Sequence, residues 1–209
     1  MKVLRNQEGI ALITALMFTL ICLGMIMTLL YYVLAGTKMS AAQKRYRSAL
    51  EASYGGTEFI TQTIIPRLFS TTDKTSLMTD FGTSLSLQFP SDALTADAFH
   101  TKLTTSTSAW PSTLSKTVNP KDMPDLTFTL QGQNAGSNYK VYTKIVDTVA
   151  GVGLLDASGI DYLDGGLGVA GTSSSTQTPR TPNIYSIEVQ GEAAVNPVEK
   201  AGLSVLYAY

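Results

Sequence analysis

The chain has 209 residues and a formal net charge of −1 at neutral pH, so no acidic or basic excess points to nucleic acid or anionic lipid as its main partner. The only cysteine, Cys22, excludes an intrachain disulfide, so a domain working in an oxidising compartment must be held by packing alone. The length accommodates a helical extension and one core of ordinary size, roughly 140 residues.

Residues 1–9 read MKVLRNQEG, a short polar stretch with two basic residues, Lys2 and Arg5, offset in part by Glu8. From Ile10 to Thr37 there is no formal charge. As a helix, those roughly 28 residues would extend about 42 Å, against a hydrocarbon core of about 30 Å. The run predicts a membrane-spanning helix, with Tyr31 and Tyr32 suited to an interfacial aromatic belt. A secretory signal is cut after its apolar run. Here a small residue, Gly9, stands directly before the run, the pattern of a chain cut between Gly9 and Ile10 that keeps its helix. The far flank carries Lys38, Lys44, Arg45 and Arg47, and a count of basic residues alone would place that flank in the cytoplasm. The leader pattern is more specific and favours the opposite orientation.

The next segment, 38–69, predicts an amphipathic continuation of the same helix. Tyr46, Leu50, Ser53, Thr57, Ile60, Ile64 and Leu68 recur at spacings of three and four, the stripe of a helix covering a core. The two halves together would extend about 85 Å. Gly55–Gly56 interrupts the pattern at about 1 kcal/mol per glycine, which calls for close approach of a sheet or a gentle kink. Pro66 predicts a kink or an end within a few residues. The basic cluster Lys38, Lys44, Arg45 and Arg47 suits lipid headgroups, acidic groups on a neighbouring subunit, or a solvated face.

Residues 70–209 predict a globular head. Leu85, Leu87 and Phe89 alternate. A short helix follows Pro90, capped by Ser91 and burying Leu94, Phe99 and Leu103. Trp110–Pro111 and Asn119–Pro120 mark loops. Four segments then alternate with period two: Leu126–Leu130, Tyr139–Val149, Tyr185–Gln190 and Leu203–Tyr209. Polar outer positions argue a half-buried antiparallel sheet needing a cover on one face, and the amphipathic helix supplies it. A long helix followed by an antiparallel sheet is an α+β arrangement. Residues 151–183 read as an exposed loop.

Little in the sequence suggests catalysis. Gly166–Gly171 matches GxGxxG, but a Ser/Thr/Pro run follows where a helix is required. Asp156, Asp161 and Asp164 are weak calcium candidates whose spacing is not that of an EF-hand, and turn formation explains them more simply. His100 stands without a nucleophile or metal-ligand motif. The expectation is a non-enzymatic chain with no cofactor, no metal and no small-molecule substrate.

A basic leader ending in Gly, then a long apolar helix running into an amphipathic one, resembles type IV prepilins and type II secretion pseudopilins. The wording EGIALITAL, followed by SALEASYGGTEFI, resembles the PilX-type minor pilins over roughly residues 5 to 65. The resemblance implies a type IV pilin-like fold, cleavage by a prepilin peptidase at Gly9–Ile10 and methylation of Ile10. It also implies a single-pass protein of the bacterial inner membrane, its head in the periplasm, later carried into a cell-surface pilus that supports adhesion or motility. Implied partners are the major pilin, other minor pilins, the inner-membrane assembly platform and, before assembly, lipid. Major pilins carry Glu at the fifth residue after the cut, where it is thought to meet the N-terminal amine of a neighbour. This chain has Thr14 there, which implies a tip or priming subunit. The alternatives are a type II secretion pseudopilin at the pseudopilus tip and a single-pass anchored adhesin or DNA-uptake receptor.

Overall fold

The computed structural model describes residues 7–70, 74–93, 95, 97–132, 137–151 and 182–209. The chain divides into two compact units, Met1–Arg47 and Ser48–Tyr209. Helix α1, Gln7–Phe59, accounts for the described part of the first unit and supplies the opening of the second.

In the second unit, one π-helical turn, Ile60–Ile64, joins α1 to α2, Ile65–Ser70. The sequence predicts a kink or an end at Pro66, and the π turn is the local form it takes. Proline lacks an N–H and its ring crowds the carbonyl four residues earlier, so the ladder must widen just ahead of it. The Ile65 N–H accordingly donates to Ile60 O, five residues back. Helix α3, Lys74–Phe81, and helix α4, Ala98–Thr104, follow, with short 3-10 turns at Pro90–Ala93 and Thr107–Ala109.

The sheet is an antiparallel meander in chain order: β1 Leu126–Leu130, β2 Tyr139–Val149, β3 Ile184–Ala193 and β4 Lys200–Ala208. All four strands lie where the period-two alternation predicts them. A bulge in β2 between Ile145 and Asp147 shifts the register by one residue. Thr148 is therefore buried and Asp147 exposed, a reversal of inner and outer positions after the bulge. The layout is α+β. Ile60, Ile64, Ile65 and Leu68 pack with Phe128, Val141, Ile145, Ile187 and Val189 in one core.

Two expectations need correction. The stripe is buried at Ser53, Ile60, Ile64 and Leu68 and half-buried at Leu50 and Thr57, but Tyr46 is 49% exposed, and Ala49, Ala52 and Gly56 are buried beside it. Small residues stand there because the sheet comes too close for large ones. A Cβ on Gly56 would lie 2.7 Å from Val141 Cγ1, and one on Gly191 of β3 would lie 2.7 Å from the backbone O of Ala49. Of the two helical glycines, only Gly56 marks this approach, since a Cβ on Gly55 meets nothing nearer than 3.9 Å.

Ser91 caps no helix. It sits in the Pro90–Ala93 turn, and α4 begins only at Ala98, behind Asp97 in a left-handed conformation (φ 56°). Phe99 and Leu103 are buried as expected, and Leu94 lies outside the described residues. The Leu85–Phe89 alternation yields a single bridge, Gln88 to Thr127, on the outer edge of β1. Ser86, at φ 50°, departs from extended geometry, and the contact with β1 resumes beyond it, where the Thr129 N–H donates to Leu85 O.

Candidate functional site

The first candidate is the apolar stretch of α1. Its most apolar window has a mean hydropathy of 2.6 and is 0% buried. Large side chains are exposed all round the axis, including Ile10, Phe18, Ile26 and Val33. A core helix of a water-soluble domain has one covered face; this stretch has none. Among the described residues it is the one helix long and apolar enough to cross a membrane.

Its hydroxyls turn back on their own backbone. Thr14 Oγ1 donates within 3.1 Å of Ile10 O and 3.0 Å of Ala11 O, Thr19 reaches Leu16 O at 2.8 Å, Thr28 Gly24 O at 2.8 Å and Thr37 Leu34 O at 2.9 Å. Each polar hydrogen is satisfied internally, so these threonines tolerate an apolar surround. Thr14 thus makes the back-bond expected of a neutral residue in such a helix, and it brings no charge to the N-terminal turns.

Gly9 and Ile10 lie within α1 and are exposed. Lys2 and Arg5 lie outside the described residues, as do Asp156, Asp161 and Asp164. Lys38, Lys44, Arg45 and Arg47 are all exposed on α1. At 3.6 residues per turn Lys38 and Arg45 point almost the same way and all four fall within one half of the helix circumference. No group of three His, Cys, Asp or Glu among the described residues could hold a metal ion.

The second candidate is a polar network in the head that sequence reasoning missed. Lys102 on α4 and Asp125, just before β1, are each 1% exposed in their side chains. Lys102 Nζ donates to both Asp125 oxygens (2.9 and 2.8 Å), to Ser115 O at 3.2 Å and to Ile145 O at 3.1 Å. Asp125 Oδ2 also accepts the Ile145 N–H at 2.8 Å. The ammonium lies 5.2 Å from the Trp110 ring centre, a cation–π contact. Lys144 reaches the same loop from β2, donating to Ser115 Oγ at 2.8 Å, Thr117 Oγ1 at 2.6 Å and Asp122 O at 2.7 Å.

Two lysines thus strap residues 115–125 to the sheet and to α4. Burial pushes the Asp125 carboxyl above the ordinary carboxylate range, with Lys102 opposing it. Burial and the neighbouring Lys102 charge push Lys144 below the ordinary lysine range. The network couples distant segments of the head. No local signal announced it, because its partners stand 13, 23 and 43 residues from Lys102.

A third contact ties the last strand to the π turn. Pro66 cannot supply the N–H that would continue the pattern to Thr61 O. Tyr207 on β4 supplies a donor instead, its hydroxyl 2.9 Å from that carbonyl. Tyr207→Phe should therefore lower stability by about 1–3 kcal/mol, since it leaves a part-buried carbonyl unpaired. Thermal melts of the full chain in detergent should show this loss, while Tyr54→Phe, on an exposed ring, should leave the midpoint unchanged. Equal midpoints for Tyr207→Phe and the parent would remove the assigned role.

Comparison with protein-family models, with characterised proteins and with solved structures finds no match to this chain. What the fold defines is a class: an α+β protein whose N-terminal helix is long and apolar enough to span a bilayer.

Proposed function

We propose that the chain is a minor pilin of the PilX type, a non-enzymatic structural subunit of a type IV pilus acting in the tip or priming complex. The observation that carries this reading is an apolar helix bare on every face, opening directly after a polar leader that ends at Gly9. The leader is removed at Gly9–Ile10 and Ile10 is methylated. The helix then holds the subunit in the inner membrane, with the head in the periplasm.

Lipid tails and a packed bundle of such helices are similarly apolar, so transfer between them changes little hydrophobic free energy, and packing decides the direction. Thr14 suits the tip role, since a terminal subunit has no further amine to pair and a buried unpaired carboxylate would be costly. The Lys38 to Arg47 basic cluster meets headgroups before assembly and acidic groups of the major pilin or other minor pilins afterwards. The α+β head and its sheet-covering helix fit the pilin-like fold that the resemblance implies.

Fractionation tests the reading. Filaments sheared from cells should contain the chain in small amounts, with the remainder in the inner membrane. Confinement to the membrane fraction would instead mark a single-pass anchored adhesin or DNA-uptake receptor. Loss of secretion with normal pili in a deletion strain would mark a type II secretion pseudopilin.

A further inference from the structure

Ser91 Oγ is buried and has no hydrogen-bond partner among the described residues, which is exceptional for a hydroxyl inside a protein. It lines a small cavity with Lys102, Thr113, Ser115, Met123 and Asp125. The cavity leaves about 10 Å³ for the centre of a water-sized sphere, close to the roughly 10–15 Å³ that a buried water needs. Its wall is polar on several sides, and a water is held where two to four polar groups converge. We propose that this cavity is a binding site for a single structural water, held by the Ser91 hydroxyl and the polar edge of the Lys102–Asp125 pair.

The chemistry of the wall selects water over an ion. The Asp125 carboxylate repels chloride, although Lys102 and the Ser91 O–H alone would attract it. A metal cation is excluded by Lys102, whose ammonium already takes both Asp125 oxygens and two backbone carbonyls. Water can accept from one group and donate to another, so it satisfies Ser91 and adds hydration to a buried ion pair. The site also accounts for the choice of residue. A buried serine that caps no helix would be better replaced by alanine unless its hydroxyl has a partner.

The test is water–protein cross-relaxation by NMR on the full chain in detergent micelles. The parent chain should show one slowly exchanging water close to the amide protons of Asp92, Ser115 and Asp125. Ser91→Val puts a methyl group where the hydroxyl stands and should abolish those cross-peaks while leaving peaks from β3 and β4 in place. Exchanging chloride for nitrate should leave the parent's cross-peaks unaltered. Absence of the slow water in the parent would overturn the proposal, whatever the variant does, and so would its survival in a folded Ser91→Val protein. Chloride-dependent peaks would assign the cavity to the anion and overturn it equally.

Discussion

Lys102→Met should destabilise the head by about 3–5 kcal/mol at neutral pH, the usual effect of removing one partner from a buried ion pair. The substitution keeps much of the side-chain volume, so the loss reports charge rather than a cavity. It leaves the Asp125 carboxylate buried beside the Ile145 N–H, without the ammonium that contacts both its oxygens. It also removes a donor to Ser115 O and Ile145 O. Against an ordinary total stability of about 5–15 kcal/mol, such a loss is severe.

The pH dependence distinguishes this mechanism from loss of packing. Burial already raises the Asp125 carboxyl, and Lys102 is the largest opposing influence. Without Lys102 the folded-state value rises further, while the unfolded value stays at about 3.9. Between those two values the folded variant binds more protons than the unfolded chain, so its stability falls as pH rises through the window. Acidification below the folded value should therefore recover part of the loss relative to the parent. Lys102→Met/Asp125→Asn should recover part of it at neutral pH, because the amide keeps an acceptor for Ile145 and carries no charge. Denaturant unfolding of both variants and the parent at mildly acidic and mildly alkaline pH is the measurement. A stability difference that does not vary with pH would contradict an uncompensated carboxylate.

The second large effect is a contrast among glycines. Gly191→Ala should cost about 1–3 kcal/mol, with the upper end expected. The new methyl group would stand 2.6 Å from Ser53 Oγ and 2.7 Å from Ala49 O, and a backbone carbonyl inside a helix cannot step aside. Gly56→Ala faces Val141 Cγ1 at 2.7 Å and Phe128 Cζ at 3.3 Å, in a core without slack. Its helix propensity gain of about 1 kcal/mol offsets only part of that crowding. Gly55→Ala, one residue earlier and with its nearest neighbour at 3.9 Å, should gain up to about 1 kcal/mol. Adjacent substitutions of the same kind should thus move the thermal midpoint in opposite directions. Equal shifts for Gly55→Ala and Gly56→Ala would mean that the helix does not approach the sheet this closely.

These two results mark the boundary of what the residues disclose by themselves. The strands were legible because period two is a local property: Leu126 to Leu130 and Tyr185 to Gln190 carry their own alternation. The apolar run from Ile10 was legible for the same reason. The covering face of α1 was legible at Ser53, Ile60, Ile64 and Leu68 and misread at Tyr46, because periodicity rewards large apolar residues whereas close contact with the sheet favours small ones such as Ala49, Ser53 and Gly56. Ser53 is telling: it fits between strand and helix because its hydroxyl is shared between Ala49 O and Ala201 O. The Lys102–Asp125 pair was invisible for another reason. A lysine in a short amphipathic helix reads as solvated, and only the tertiary fold brings a carboxylate and two carbonyls to it. In the apolar helix, the back-bonds of Thr14 are local, to carbonyls three and four residues away.

The central claim is that this chain is processed and assembled as a pilin rather than simply anchored. The most direct measurement is the mass of the N-terminal peptide of the protein isolated from membranes and sheared filaments. A mature chain beginning at Ile10, with a methyl group on its amine, is the predicted result. A membrane protein that retains an intact Met1–Gly9 leader would contradict it.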